Sequence, residues 1–414
     1  MYALVDCNNF YVSAERVFQP QYKGVPVLVL SNNDGCVISR SAEVKALGIP
    51  MGAQFHKIQE EVKHFNIKYF SSNYTLYADM SARVMNNLAR FTPDIEIYSI
   101  DEAFLGLFGF KDLYNYGQRI KQTIEHNTGI PVGIGIAPTK VLAKVANKIA
   151  KKSTGVCLLE TPADVTAALQ HFPIEDLWGI GRQYAKKLNQ QGIFTAQQFI
   201  QLPLQWVEKN MTVTGARIWR ELQGEVCMEL QTSHDPKKII STAKGFGKLT
   251  DNYQELREAT ADYTARLAAK LRNEQLCASV ISLRLLCNPF RKDLPQYNPG
   301  CSFALNHPIN NTIELSKAAQ YALSKVYTPG ILFQKVEITF TGLLSEKEVQ
   351  LHLFTGYKSK KYNQVANAID DLNTRFGPGT IQTATAARQQ AWAMRRKHLS
   401  RNYTTSWSDI LRVR

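Results

Sequence analysis

The sequence predicts a multidomain α+β protein, and three observations carry that expectation. At 414 residues the chain has room for two to four domains with sizeable cores. Short β-branched runs alternate with stretches of helical periodicity, so strands and helices are interleaved along the chain. Two composition breaks then divide it, one at Lys152-Ser153-Thr154-Gly155 and one in the polar linker from Gln231 to Lys238.

The first element is a buried-type strand, Tyr2-Ala3-Leu4-Val5, ending at Asp6. Asn8 and Asn9 offer N-cap chemistry to a helix carrying Phe10, Tyr11, Val12, Ala14, Val17 and Phe18. A carboxylate at a strand end followed by a helix N-terminus suits a metal-bound phosphate, with free N–H groups taking its oxygens. Gly24–Leu30 and Cys36-Val37-Ile38 read as paired strands around the turn Ser31–Gly35. Helices are expected over Ser41–Leu47, stopped by Gly48, and over Gln54–Phe65 and Met80–Phe91.

Ile95 to Leu105 is the central stretch. Apolar residues run into Asp101-Glu102 and out again, which predicts two short strands joined by a turn. Neighbouring strand residues point to opposite faces, so both carboxylates serve one site only where the chain bends. An isolated Asp-Glu is usually a solvated acidic turn. Two adjacent carboxylates exposed at a strand tip repel each other unless a cation neutralises them, and oxygen ligands with room for a phosphate favour Mg²⁺. The rest of the chain shifts the reading toward such a site.

A helix from Lys111 to about Glu125 and the strand Val132–Ala137 come next. Pro138–Lys152 then places Lys140, Lys144, Lys148 and Lys151 or Lys152 on one helical face, with Val141, Leu142, Val145 and Ile149 on the other. No Glu in that helix pairs with these lysines, so the face reads as phosphate-facing. Gly179-Ile180-Gly181-Arg182 has the turn of a helix-hairpin-helix, whose glycines let backbone N–H groups approach DNA phosphates. Beyond the linker, the strand runs Ile239–Thr242, Val280–Leu286 and Lys335–Phe340 and the helices Tyr253–Arg272 and Leu315–Val326 suit a compact α+β domain. Val365–Phe376 keeps helical periodicity.

Charge narrows the partner. Lys and Arg outnumber Asp and Glu 49 to 35, for a net charge of +14. The sixty residues after Phe354 hold eleven basic residues against three acidic, so over half the excess lies there. A polyanion is the expected partner. No apolar run approaches the ~20 residues that cross a bilayer, and Asp6 interrupts the first apolar run, so neither a membrane span nor a signal peptide is expected. Seven cysteines without a Cys-x-x-Cys argue for a reducing cytosol and against zinc or a disulfide framework.

Three stretches in order carry a resemblance: Val5-Asp6-Cys7-Asn8-Asn9-Phe10-Tyr11, Ser31-Asn32-Asn33-Asp34-Gly35-Cys36-Val37-Ile38, and Tyr98-Ser99-Ile100-Asp101-Glu102-Ala103-Phe104. With them the whole chain resembles a Y-family DNA polymerase of the UmuC type, the low-fidelity class that copies damaged templates. The resemblance implies a right hand with the palm at 1–18 and 76–158, fingers at 19–75 and the helix-hairpin-helix thumb at 159–233. A little finger at 239–343 and a basic extension at 344–414 complete it.

It also implies two Mg²⁺ ions held by Asp6, Asp101, Glu102 and the Cys7 carbonyl, which would clamp the primer 3′-oxygen and the leaving pyrophosphate. By the same resemblance Asn8, Asn9, Phe10 and Tyr11 meet the deoxynucleoside triphosphate, with Tyr11 as the ring that excludes a ribose 2′-hydroxyl. Lys151 reaches the triphosphate. Where many members carry Tyr-x-x-Arg in the fingers, this chain has Ala42-x-x-Lys45, so Lys45 or Arg40 is the expected ligand. Gly179, Gly181 and Arg182 would touch primer–template DNA. Gln350, Leu351, Leu353 and Phe354 resemble the bacterial β sliding-clamp motif, with Leu and Phe as anchors. The remaining implied context is a UmuD′-type dimer, a RecA-type recombinase filament, an SOS DNA-damage role and a nucleoid-associated place in the bacterial cytoplasm.

Overall fold

Strand β1 (Tyr2–Cys7) is the axis on which the N-terminal part is built. Its odd residues Ala3, Val5 and Cys7 face one core, whereas Tyr2 and Leu4 face another, so both sides of the strand are buried. The computed structural model describes residues 1–232, 236–350, 356–377, 379–382 and 394–411. They fall into two units, 1–234 with 397–414, and 235–396.

In the first unit β1 leads into α1 (Phe10–Phe18). A small layer follows: β2 (Val27–Leu30), β3 (Val37–Arg40), α2 (Ala42–Ala46), α3 (Gln59–His64) and β4 (Lys68–Ser71). Its sheet has the order β3-β2-β4, antiparallel then parallel. The main layer resumes with α4 (Tyr74–Leu88), β5 (Ile95–Ile97), β6 (Glu102–Gly106), α5 (Leu113–Thr128), β7 (Val132–Ala137), α6 (Lys140–Ala150) and β8 (Val156–Leu158). The five-stranded order is β5-β6-β1-β7-β8, with β1 antiparallel to both neighbours. Four helices close the unit, α7 (Pro162–Gln170), α8 (Arg182–Asn189), α9 (Ala196–Ile200) and α10 (Leu204–Leu222).

The seating of α6 on the sheet depends on glycine. A Cβ at Gly135 would stand 2.0 Å from the Asn147 amide nitrogen and 2.3 Å from the Ala143 carbonyl oxygen. Only a residue without a side chain lets helix backbone meet strand backbone there. Asn147 fastens the contact by donating its Nδ2 to the Gly133 carbonyl at 2.7 Å and the Leu4 carbonyl at 3.3 Å.

The second unit is an antiparallel sheet, β11-β10-β12-β9, formed by β9 (Ile240–Thr250), β10 (Leu276–Leu286), β11 (Gly300–Ile309) and β12 (Phe333–Ser345). Alternate residues Ile281, Leu283 and Leu285 meet the apolar faces of α11 (Tyr253–Asn273) and α12 (Thr312–Val326). Helix α13 (Gly356–Phe376) joins this unit where the Arg272 guanidinium grips the Asp370 carboxylate at 2.6 and 2.9 Å. Within the segment expected as one extension, residues 397–411 instead pack on the first unit.

Several expected elements differ. The helix over 54–65 breaks at Ile58, whose backbone (φ −110°, ψ 14°) leaves the helical region as its side chain enters the core around β2. Helix α4 begins at Tyr74, six residues early, because the Asn73 side chain accepts the Leu76 N–H and caps it. Strands β4, β8 and β11 were not expected. β4 and β8 are short and carry no clear alternation, whereas β11 does alternate, with Cys301, Phe303 and Leu305 packed on the core; all three are the outer strands of their sheets. Among the described residues no helix is long and apolar enough to cross a membrane.

Candidate active site

Antiparallel register sets Asp6 opposite Glu102 across β1 and β6. Both therefore point to the sheet face that α6 covers, and their carboxyl groups lie within hydrogen-bonding reach of each other. Burial pushes the Asp6 carboxyl up to about 7; nearby Glu102 adds to the rise and Lys151 opposes it. The lysines supply the countercharge. Lys151 Nζ is 2.6 Å from Asp6 Oδ2, and Lys144 Nζ is 2.9 and 3.2 Å from the two Glu102 oxygens. Lys144 also sits over the rings of Tyr98 (4.7 Å), Trp178 (5.1 Å) and Phe104 (5.8 Å), so its ammonium is fixed from several sides.

Asp101 occupies the turn before β6, as the bend in the hairpin requires. Its carboxylate accepts the Ser99 hydroxyl at 2.7 Å, and its main-chain carbonyl accepts the Cys7 N–H at 2.8 Å. The strand end and the hairpin tip are thereby tied together. Among the described residues no three His, Cys, Asp or Glu side chains converge as a metal cluster. The donor set still suits a hard divalent cation. Two half-buried carboxyls in mutual contact are neutralised better by such an ion than by two ammonium groups, with a third carboxylate one residue away.

The start of α1 departs from expectation. Asn9 takes a left-handed conformation (φ 49°, ψ 45°) and its side chain makes no cap bond. The Asn8 N–H donates to the Pro131 carbonyl at 2.8 Å, so that amide is already used. Phe10 is core, 3% exposed, whereas Tyr11 is half-buried with its ring stacked on Tyr77 at 4.4 Å. Ser39 on β3 accepts the Val12 N–H and donates to the Asn9 carbonyl, both at 3.4 Å, which joins the two sheets' layers beside α1.

The cationic face of α6 is corrected by the structure. Lys140 is buried against Glu96 and the Glu229 carbonyl, and Lys148 pairs with Asp176. Partners absent from the helix itself come from other elements, and Lys144 and Lys151 alone are directed at the carboxylate pair. Lys45 is exposed; partial desolvation lowers its amine first, the Arg40 and Lys151 charges lower it further, and Asp6 pulls it back. Arg40 donates to the Ile49 carbonyl, which leaves Lys45 the less committed of the two.

Gly179 and Gly181 play different parts. At φ +88°, with a Cβ position 2.4 Å from Ile218 Cδ1, Gly179 is needed for folding the turn. Gly181 faces open space at the head of α8, next to exposed Arg182, and the element before the turn is a 3₁₀ turn over Ile174–Asp176. Gln350 is exposed; Leu351, Leu353 and Phe354 lie outside the described residues.

Residues 5–148 match the impB/mucB/samB family and residues 237–353 match that family's C-terminal domain; residues 363–413 match a domain of unknown function. Protein UmuC of Salmonella typhimurium is 40% identical with all of both chains covered, and MucB of Escherichia coli is 32% identical over 99% of each. The chain belongs to the impB/mucB/samB family. It is thereby a Y-family DNA polymerase of the UmuC type. A DNA polymerase IV of Moorella thermoacetica is more distant, 25% identical over 92% of this chain and 94% of that one. Among solved structures, a Y-family DNA polymerase chimera of Dbh and Dpo4 matches with a TM-score of 0.67 at 21% identity, covering 83% of this chain and 99% of that one. An insertion ternary complex of Dbh DNA polymerase matches at 0.57 and 21%, covering 82% and 98%. The right-hand fold with palm, fingers, thumb and little finger is therefore this chain's fold.

Sequence reading missed Ser99, Lys144 and Ser39 as individual site residues. Ser99 and Ser39 are single hydroxyls without any pattern. Lys144 was legible only as one lysine of a face, because its carboxylate partner lies 42 residues away.

Proposed function

We propose that this polymerase performs error-prone translesion synthesis, inserting deoxynucleotides opposite damaged template bases as part of the SOS response. The palm would span 1–18 and 76–158, the fingers 19–75, the thumb 159–233, the little finger 239–343 and the basic extension 344–414. Asp6 and Glu102, with Asp101 turned from Ser99 and the Cys7 carbonyl, would hold the Mg²⁺ ions. Bound there, the metals would supply acidification of the primer 3′-hydroxyl and neutralisation of charge on the transferring phosphate.

The chain's own residues do the rest. Lys151, displaced from Asp6, and Lys45 on α2 neutralise the triphosphate. The amides from Asn9 to Tyr11 donate to its oxygens, Asn8 being occupied. Tyr11 bears on the sugar and excludes a 2′-hydroxyl. Gly181 and Arg182 at the head of α8 receive a phosphate of the primer–template DNA. Gln350, Leu351, Leu353 and Phe354 dock on the β sliding clamp. A UmuD′-type dimer and a RecA-type filament are the accessory partners, in the nucleoid-associated cytoplasm.

The observation that carries this reading is the in-register Asp6–Glu102 pair, held by Lys144 of α6 and by Lys151 at that helix's C-terminal cap. Forty per cent identity to UmuC along both chains favours that type over a polymerase IV acting alone. The test is Mg²⁺-dependent primer extension on undamaged and abasic templates, with the chain alone and then with clamp and UmuD′-type dimer. Asp101→Ala should abolish insertion and leave DNA binding intact. Retained insertion by that variant would remove Asp101 from the site.

A further inference from the structure

Residues 397–411 lie against α1, β4 and the start of α4, and they match a domain to which no function is attached. The contact begins as a short ladder. The Ser71 N–H donates to the His398 carbonyl at 2.9 Å, and the His398 N–H returns to the Ser71 hydroxyl at 3.0 Å. Further along, the Tyr403 ring stacks on Phe18 of α1, 4.8 Å between centroids and 10° from parallel.

Between those two anchors lies Ser400. Its hydroxyl donates to Glu15 Oε1 at 2.9 Å and accepts from Asn73 Nδ2 at 3.1 Å. Glu15 is fully buried, so its carboxylate needs donors from the protein. The second strong donor is the Tyr77 hydroxyl, 2.8 Å from the same Oε1. Tyr77 is itself fully buried, and its ring is the surface on which Tyr11 stacks, 15° from parallel. An unbroken line of contacts thus runs from residue 400 to the ring at the head of α1. The other donor near Glu15, Gln19 Nε2, is 3.5 Å away from Oε2 and is no replacement.

We propose that Ser400, brought in by this C-terminal strap, is a positioning residue that sets sugar discrimination by fixing Tyr11 through Glu15 and Tyr77. The inference rests on the reading of Tyr11 as the ring that meets the sugar. Losing the Ser400 hydroxyl leaves the buried carboxylate short of a donor. It must then draw in water or shift toward Tyr77, and the support under Tyr11 loosens.

The experiment is single-nucleotide insertion by the full chain, with its accessory subunits, of a deoxynucleotide and the matching ribonucleotide. It compares the parent with Ser400→Ala, Ser400→Thr, Tyr77→Phe, the Ser400→Ala/Tyr77→Phe double variant and Tyr11→Ala. Ser400→Ala and Tyr77→Phe should each lower the ratio of kcat/KM for the two sugars by roughly three- to tenfold, mainly by lowering KM for the ribonucleotide. Their effects should not add, because both act through Glu15, and Ser400→Thr should keep the parental ratio. A ratio unchanged by Ser400→Ala and by Tyr77→Phe, with Tyr11→Ala relaxed, would overturn the inference and leave the strap purely structural. A ratio unchanged in Tyr11→Ala would instead overturn the reading beneath it. Tyr77→Phe keeps the buried ring, so the question stays answerable even where Ser400→Ala folds poorly.

Discussion

Replacing Gly135 with Ala adds one methyl group at the place where β7 and α6 touch backbone to backbone. The new Cβ would stand 2.0 Å from the Asn147 nitrogen and 2.3 Å from the Ala143 oxygen, against an ordinary contact of 3.4 Å or more. Neither obstacle is a side chain that can turn away, so α6 must lift by about 1 Å or more. Overpacking of this kind costs about 1–3 kcal/mol, and the upper half of that range applies where both walls are backbone. For a unit of this size 2–3 kcal/mol lowers the melting temperature by roughly 4–12 °C. The loss of activity should be larger than the loss of stability. Helix α6 carries Lys144, and Lys151 follows it directly; both meet the carboxylate pair at 2.6–3.2 Å, and a 1 Å misplacement can cost about 100-fold in rate. Gly133→Ala is the matched control. Its Cβ meets side chains and no backbone, the flexible Lys151 stem at 3.0 Å from Cγ and 3.5 Å from Cε and Asn147 Nδ2 at 3.6 Å, so it should cost less stability than Gly135→Ala. Thermal melting and primer extension of both variants check the argument. Equal melting temperatures and equal insertion in parent and Gly135→Ala would refute it.

Burial raises the Glu15 carboxyl to about 7 from its ordinary 4.5. The folded chain thus holds this proton more tightly than the unfolded one, and stability is lost as pH rises from 4.5 towards 7. That contribution is on the order of 3 kcal/mol, so Glu15→Gln should show a flatter decline in melting temperature between pH 5 and 7.5; identical slopes would count against it. Lys140→Ala strands Glu96, only 8% exposed, and should cost about 3 kcal/mol or more. Lys148→Ala removes a pair more than a third exposed and should change stability by about 0–1 kcal/mol, so equal denaturant midpoints for the two would defeat the distinction. Phe354→Ala should weaken clamp binding by ~2 kcal/mol, about thirtyfold in Kd, measured by titration against the isolated clamp.

The parts legible in the sequence are those with a short-range signature. The Asp101–Glu102 bend sits between an isoleucine-rich run and the apolar run Ala103-Phe104-Leu105, and Asp6 follows an unbroken apolar stretch, so the carboxylates were locatable from sequence alone. The pairing of Lys140, Lys144, Lys148 and Lys151 was not, because each carboxylate arrives from a separate element and only the fold brings the two together. Asn8 and Asn9 show the opposite failure. Their residue types promise a cap, yet the left-handed turn at Asn9 directs the chain so that Ser39 meets the helix instead. The docking of 397–411 left no trace in the pattern, since it rests on single hydroxyls, one amide side chain and two ring contacts rather than on a periodic apolar face.

That docking has a bearing on how the chain is made. His398 follows Ser71 by 327 positions, and the two exchange backbone and hydroxyl bonds. At a synthesis rate of ~5–20 residues per second, roughly 15–65 s separate the emergence of one from the other. Throughout that interval the nascent N-terminal part of the first unit waits with Phe18, Asn73 and Glu15 lacking these partners, and only translation through residue 403 supplies them. A ribosome that stalls in the second unit therefore releases an N-terminal half whose carboxylates and lysines are all present but whose underside is open, a natural substrate for proteases that patrol unfinished proteins.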